Sequence, residues 1–221
     1  YMYTRKNRFS TRVVIYALFM LGFGLILQGC FPISTQPNGN GDKPKDAAVC
    51  EGTHDGASVP LQSNGEVSTA KQHALVVGIN RYQHAGKVSN ADDGVLTNLQ
   101  GAVNDAELLA KALCNAGVKL PEKRLLLDNR ATRDAFLNSW HDMVTEAQPG
   151  DTLIVTFSGH GGQEPDAEPL DEKSTDCPHN AQDCVPKDET LLFHDFYYDK
   201  TQRHSQGRIT DDELRGLFEK A

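Results

Sequence analysis

The apolar positions of this chain change their period several times. Residues 13–27 form a nearly continuous apolar run. Residues 31–71 are rich in Pro, Gly, Asn, Ser and Asp without sustained periodicity, which is linker composition. From His73 the pattern becomes β-like, and His73-Ala74-Leu75-Val76-Val77-Gly78-Ile79 reads as a buried strand. Leu99, Val103, Ala106, Leu109, Ala110 and Leu113 then recur at helical spacing, and Gly117 is placed to stop that helix in the left-handed conformation. Residues 125–127 predict a second short strand. Thr132 can cap a second helix, whose apolar stripe is Phe136, Trp140, Met143, Val144 and Ala147 and which Pro149-Gly150 breaks. Residues 152–157 are apolar on both faces, as in the middle of a parallel sheet. Strand, helix, strand, helix, strand within about ninety residues implies right-handed crossovers and a mostly parallel sheet.

Beyond Gly162 this regularity stops. Residues 163–189 read as a long polar insertion, rich in Asp and Glu and holding two cysteines. Leu191-Leu192-Phe193 predicts the start of another strand, followed by Asp195. A third helix opens at Thr210, where Glu213 three residues on makes a capping box, and Leu214, Leu217 and Phe218 give it a buried face.

Composition sharpens the ends of this picture. Among 221 residues, 38% are hydrophobic and 24% charged, enough for a real core in one domain plus appendages. The net charge of −8 argues against nucleic acid as a partner. Arg5, Lys6, Arg8 and Arg12 precede the 13–27 run, which is shorter than the roughly twenty residues of a membrane-spanning helix. A basic stretch followed by such a run is a secretory signal. Leu27-Gln28-Gly29-Cys30 resembles the bacterial lipobox, with Gln28 a departure, so residues 1–29 are expected to be a lipoprotein signal peptide and Cys30 the lipidated residue. An uncleaved short anchor is the alternative. Loss of residues 1–29 removes four basic and no acidic residues and takes the charge from −8 to −12. The expected organisation is therefore signal (1–29), tether (30–71) and folded domain (72–221), held by lipid at a bacterial cell envelope. The chain opens on Tyr1 and is expected to be a piece of a longer protein.

Candidate chemistry centres on residues 151–162, DTLIVTFSGHGG. His160 follows the third core strand, and ligands of open α/β sheets sit off the carboxyl ends of the strands. Flanking glycines let a substrate backbone approach, since no Cβ blocks the way. An isolated histidine at such a place is by default a loop residue, and the rest of the chain has to decide.

Four stretches decide it. HALVVGINRY, LQGAVNDAELL, DTLIVTFSGHGG and ITDDEL together resemble the caspase-like cysteine peptidases, in the metacaspase and bacterial caspase-homologue branch, over residues 73–221 and in the family's order. The resemblance implies a caspase-like three-layer α/β sandwich with a mostly parallel central sheet flanked by helices. It implies His160 as general base and acid for a cysteine nucleophile, and the Gly161 N–H as a donor to the oxyanion. It implies Asp105, in Gly101-Ala102-Val103-Asn104-Asp105, as a pocket carboxylate for protein substrates with Arg or Lys before the cut, although a solvated helix Asp would look the same. Asp195, Asp211 and Asp212 match the positions of aspartates that bind activating calcium in some members. Acids in the first turn of a helix also need no metal to be favourable.

The nucleophile does not show itself. Cys177 and Cys184 lie in the polar insertion and, seven residues apart in an exported protein, are expected to form a disulfide. Cys114 is expected buried on the first helix, and Cys50 lies in the linker. The family's nucleophile strand follows the ITDDEL helix, so the catalytic cysteine is expected beyond Ala221. The competing reading is a non-catalytic caspase-like interaction or scaffold lipoprotein. A metal hydrolase is weaker, for there is no His-x-x-x-His or comparable ligand spacing.

Overall fold

A computed structural model describes residues 12–17, 50, 70–90, 94–165, 187–201 and 204–221. Cys30, Cys177 and Cys184 lie outside the described residues, so the lipidation site and the expected disulfide between the last two are not seen.

The main sheet contains β1 (Arg12–Ala17), β2 (Gln72–Gly78), β3 (Leu125–Leu127) and β4 (Thr152–Ser158) in the order β1-β4-β2-β3. Every pair in it is parallel, as the alternation of strands and helices predicts. Arg12–Ala17, at the head of the run read as an export signal, is here a strand along the outer edge of β4. An unpaired edge offers a row of N–H and C=O groups, and a β-branched run such as Val13-Val14-Ile15 is well suited to occupy it. Among the described residues no helix is long and apolar enough to cross a membrane.

Alternation along β2 and β4 separates two cores. Leu75, Val77, Leu153, Val155 and Phe157 face the helix α2 (Arg133–Glu146), through Phe136, Trp140 and Met143. Ala74, Val76 and Ile154 face the helix α1 (Ala102–Asn115), through Ala106 and Ala110. Helices thus cover both faces of the sheet, the three-layer arrangement expected. The contact face of α1 is smaller than its leucines suggest. Ala102, Ala106 and Ala110 are buried, while Leu109 is 38% exposed and Leu108 69%. Close approach explains this: a Cβ on Gly78 would stand 2.5 Å from the Ala106 Cβ and 2.9 Å from the Ala102 carbonyl oxygen. Only small side chains fit between backbones that near. Both expected helix signals operate, since Thr132 accepts a hydrogen bond from the Ala135 N–H and Gly117 sits at φ 78°.

Three further strands make a separate antiparallel sheet: β5 (Gly161–Pro165), β6 (Lys187–Asp199) and β7 (His204–Thr210). Both ends of the stretch read as a polar insertion are therefore strand. β7 escapes a hydrophobicity reading because its inward positions include Ser205 and Gly207. The Ser205 hydroxyl donates to the Glu164 carboxylate, and a Cβ on Gly207 would lie 2.6 Å from the Asp195 carbonyl. The helix α3 (Asp211–Glu219) begins with the expected Thr210–Glu213 capping box.

One covalent link corrects the sequence reading. Cys50 and Cys114 are joined by a disulfide with Cα atoms 5.7 Å apart. Both are half-buried, so Cys114 is not the buried residue expected, and Cys50 is not plain linker. Cys50 also exchanges backbone hydrogen bonds with Leu120, at 3.0 and 2.8 Å, which brings it beside the end of α1. Sequence spacing could not show this, because the contact is made across 64 residues.

Candidate active site

β2 and β4 run level, Gly78 opposite Ser158, so whatever follows each strand emerges at one carboxyl edge of the sheet. After β2 the Asp128 carboxylate accepts from the N–H groups of Asn80 (2.8 Å) and Arg81 (2.9 Å), which fixes how the chain leaves. After β4 comes His160, half-buried. Its Nε2 lies 2.8 Å from the Thr97 carbonyl oxygen. A carbonyl can only accept, so Nε2 carries the hydrogen and, in the neutral ring, Nδ1 keeps the lone pair. The neutral imidazole is thereby set in one tautomer, with a base nitrogen at Nδ1.

Gly161 stands next to it, its N–H turned away from β6. The Leu192 N–H donates to the His160 carbonyl (3.0 Å), and Gly161 pairs with Leu191. In an antiparallel ladder that pattern makes Gly161 and Leu191 a non-hydrogen-bonded pair, whose own N–H groups point away from the partner strand. The glycine is also exposed. A developing negative charge placed beside it would meet this N–H.

Asp105 is in the first turn of α1, which starts at the carboxyl edge where Ala102 and Ala106 press on Gly78. Its Oδ2 is buried and has no hydrogen bond among the described residues. A buried carboxylate oxygen without a donor is costly unless a cation or donor arrives to meet it.

The three expected calcium ligands fare differently. Asp195 lies in the β6 bulge opposite β7 and accepts from the Arg133 N–H at 3.0 Å. Asp211 and Asp212 are in the first turn of α3, Asp212 paired with Arg215 at 2.7 Å. Among the described residues no three His, Cys, Asp or Glu side chains are grouped to hold a metal ion.

Thr97, Tyr82 and Asn98 are contacts that the sequence did not single out. Tyr82 closes the HALVVGINRY stretch, but its only sequence signal is that membership. Its hydroxyl accepts the His160 N–H at 2.7 Å, and the two rings are 5.1 Å apart. Burial pushes the Tyr82 phenol far above its ordinary value, so it stays protonated at any working pH.

This sandwich, with its histidine delivered at the carboxyl edge, falls in the caspase-like class. Residues 72–220 match the family profile described as metacaspase, peptidase C14 domain, and the chain belongs to the metacaspase family. It is similar to Metacaspase-1A of Aspergillus niger, 29% identical over 174 residues, which are 75% of this chain and 36% of that protein. Metacaspase-1A of Aspergillus fumigatus is 32% identical over 157 residues, 68% of this chain and 31% of the relative. Metacaspase-1 of Emericella nidulans is 30% identical over 159 residues, 69% and 32%. The chain thus spans about a third of the length of these curated relatives. No solved structure gave a significant match.

Proposed function

We propose that the protein is a cysteine endopeptidase that cuts after Arg or Lys, with His160 as its base. The observation that carries this reading is the His160 ring, bound through Nε2 to the Thr97 carbonyl and left with Nδ1 as the acceptor. Among the described residues the cysteines are Cys50 and Cys114, and they are bonded to each other. The nucleophilic thiol is therefore assigned to a cysteine outside the described residues. Nδ1 takes the thiol proton, and the thiolate attacks the scissile carbonyl carbon. The Gly161 N–H supports the resulting oxyanion. Collapse breaks the C–N bond, and the imidazolium proton goes to the leaving amine. Water, deprotonated by the same nitrogen, then hydrolyses the thioester. Asp105 supplies the negative charge that a P1 Arg or Lys needs, and its unpartnered Oδ2 supports that role.

The test is hydrolysis of Arg-containing and Asp-containing reporter peptides by the full-length protein, with and without added calcium. Hydrolysis of the Arg reporter alone, abolished in His160→Ala, is the expected result. Absence of hydrolysis under all conditions favours the scaffold reading. Asp105→Ala is expected to raise KM for the Arg reporter about 30-fold, the loss of one charge-assisted contact of about 2 kcal/mol. An unchanged KM removes Asp105 from the pocket.

We place the protein, on its N-terminal residues, at a bacterial envelope with a lipid anchor at Cys30, a maturation that removes β1 with residues 1–29 and leaves β4 as the edge strand of the main sheet. The Cys50–Cys114 disulfide supports an oxidising setting. Globomycin-sensitive processing and acyl labelling that is lost in Cys30→Ser would be the corresponding measurement.

A further inference from the structure

We infer that Tyr82 and Asn98 are positioning residues for His160, joined in a closed circuit that holds the histidine at both its backbone and its ring. The inference rests on the reading of His160 as the catalytic base. The last residue of β4 in the parallel ladder is Ser158, so the His160 N–H is no longer spent in the main sheet. The Tyr82 hydroxyl takes that N–H at 2.7 Å. The Tyr82 side chain is well suited to the task, since the residue is 4% exposed and packs in the core with Phe157 and Phe193. Its own N–H donates to Asn98 Oδ1 at 2.9 Å. The neighbouring residue, Thr97, presents the carbonyl that receives Nε2 at 2.8 Å.

One side of the circuit is thus anchored in the core and the other is an exposed loop. Thr97 and Asn98 are both exposed. A carbonyl on an exposed loop competes with water for the imidazole N–H, and it wins only if the loop is held in place. Before Thr97 the buried Leu96 donates its N–H to the Lys87 carbonyl at 3.0 Å, and after it Asn98 accepts the Tyr82 N–H and the Leu99 N–H donates to the Asn80 carbonyl at 2.7 Å. Gly159 completes the fit, because a Cβ there would come within 2.9 Å of the Tyr82 hydroxyl oxygen. The small residue before the histidine therefore serves the tyrosine behind it as well as a substrate in front.

The experiment uses the full-length protein and three variants: Tyr82→Phe, Asn98→Ala and Asn98→Asp, the last keeping an acceptor for the Tyr82 N–H. Two quantities are read: kcat and KM on the Arg reporter, and the His160 tautomer from imidazole nitrogen shifts. Tyr82→Phe and Asn98→Ala are expected to lower kcat about 10- to 100-fold with KM within about twofold, the scale of a misplaced catalytic group. Their imidazole should change from a single Nε2–H form to a mixture, and Asn98→Asp should return the single form. If Tyr82→Phe unfolds, Asn98→Ala on the exposed loop still decides. Loss of thermal stability with unchanged kcat and an unchanged tautomer in that variant overturns the inference. If the unmodified protein hydrolyses no reporter, the peptidase reading fails, while the tautomer comparison still tests the circuit.

Discussion

Asp151 shows how one carboxylate can tie a chain together. It accepts from the N–H groups of Lys71 (2.7 Å) and Gln148 (3.0 Å) and from His73 Nε2 (3.0 Å), joining the start of β2 to the turn before β4. Burial pushes its carboxyl up, but those donors and the His73 ring outweigh burial and hold it below the ordinary value. A folded-state value below the unfolded one means stability that is present above the unfolded value of about 4 and is lost as pH falls through the depressed one. Urea midpoints measured from pH 6 down to pH 2.5 should therefore fall less steeply in Asp151→Asn than in the unmodified chain. Equal slopes would show that Asp151 does not carry this acid sensitivity. At this scale the sequence singles out side chains set in a pattern, such as His160 in SGHGG, which the structure puts just past the carboxyl end of β4. It was silent on Thr97, because the group used there is a main-chain carbonyl that every residue possesses. Asn98 was hidden for a related reason, since one Asn in a polar loop carries no pattern.

Helices and strands set how much of the site can be moved by changes away from it. Gly78→Ala would force a Cβ into the Ala106 side chain and the Ala102 carbonyl, so α1 has to back away from β2. A cost of about 1–3 kcal/mol is expected from thermal or urea unfolding. Because Asp105 rides on the same first turn of α1, the Arg-reporter KM should rise too. At the other end of the described chain, Glu213 closes the capping box and also bonds Arg133 (2.7 Å) and Arg208 (3.2 Å). Thr210→Ala removes the cap and should destabilise by about 1 kcal/mol in the same measurement. That box was legible from Thr210 and Glu213 alone, since it is a local device with fixed spacing. β7 was not, because a strand whose inward residues are serine and glycine packs by small size and hydrogen bonding rather than by apolar area. The Leu109 side chain misled in the opposite direction, as helical period counts leucines but cannot see how close the neighbouring backbone lies.

On the scale of the whole molecule, a sheet covered on both faces was legible from the continuous apolar runs of β2 and β4, and the Cys50–Cys114 bond was not. Its effect on stability should be large. Closing a loop of that length is worth about 2–4 kcal/mol, so Cys114→Ser, or reductant, should lower the unfolding midpoint accordingly. A linked peptide pair containing Cys50 and Cys114 in a non-reducing digest checks the bond itself. The bond also decides what a cut means. Between the two cysteines lie Lys71, Arg81, Lys87 and Lys111, residues of the type the proposed activity cleaves after. Scission at any of them leaves both pieces covalently attached, and only reduction lets one depart. A nick within that span would therefore register as two bands on a reducing gel and one on a non-reducing gel, so breakage and shedding become separate events in the life of the molecule.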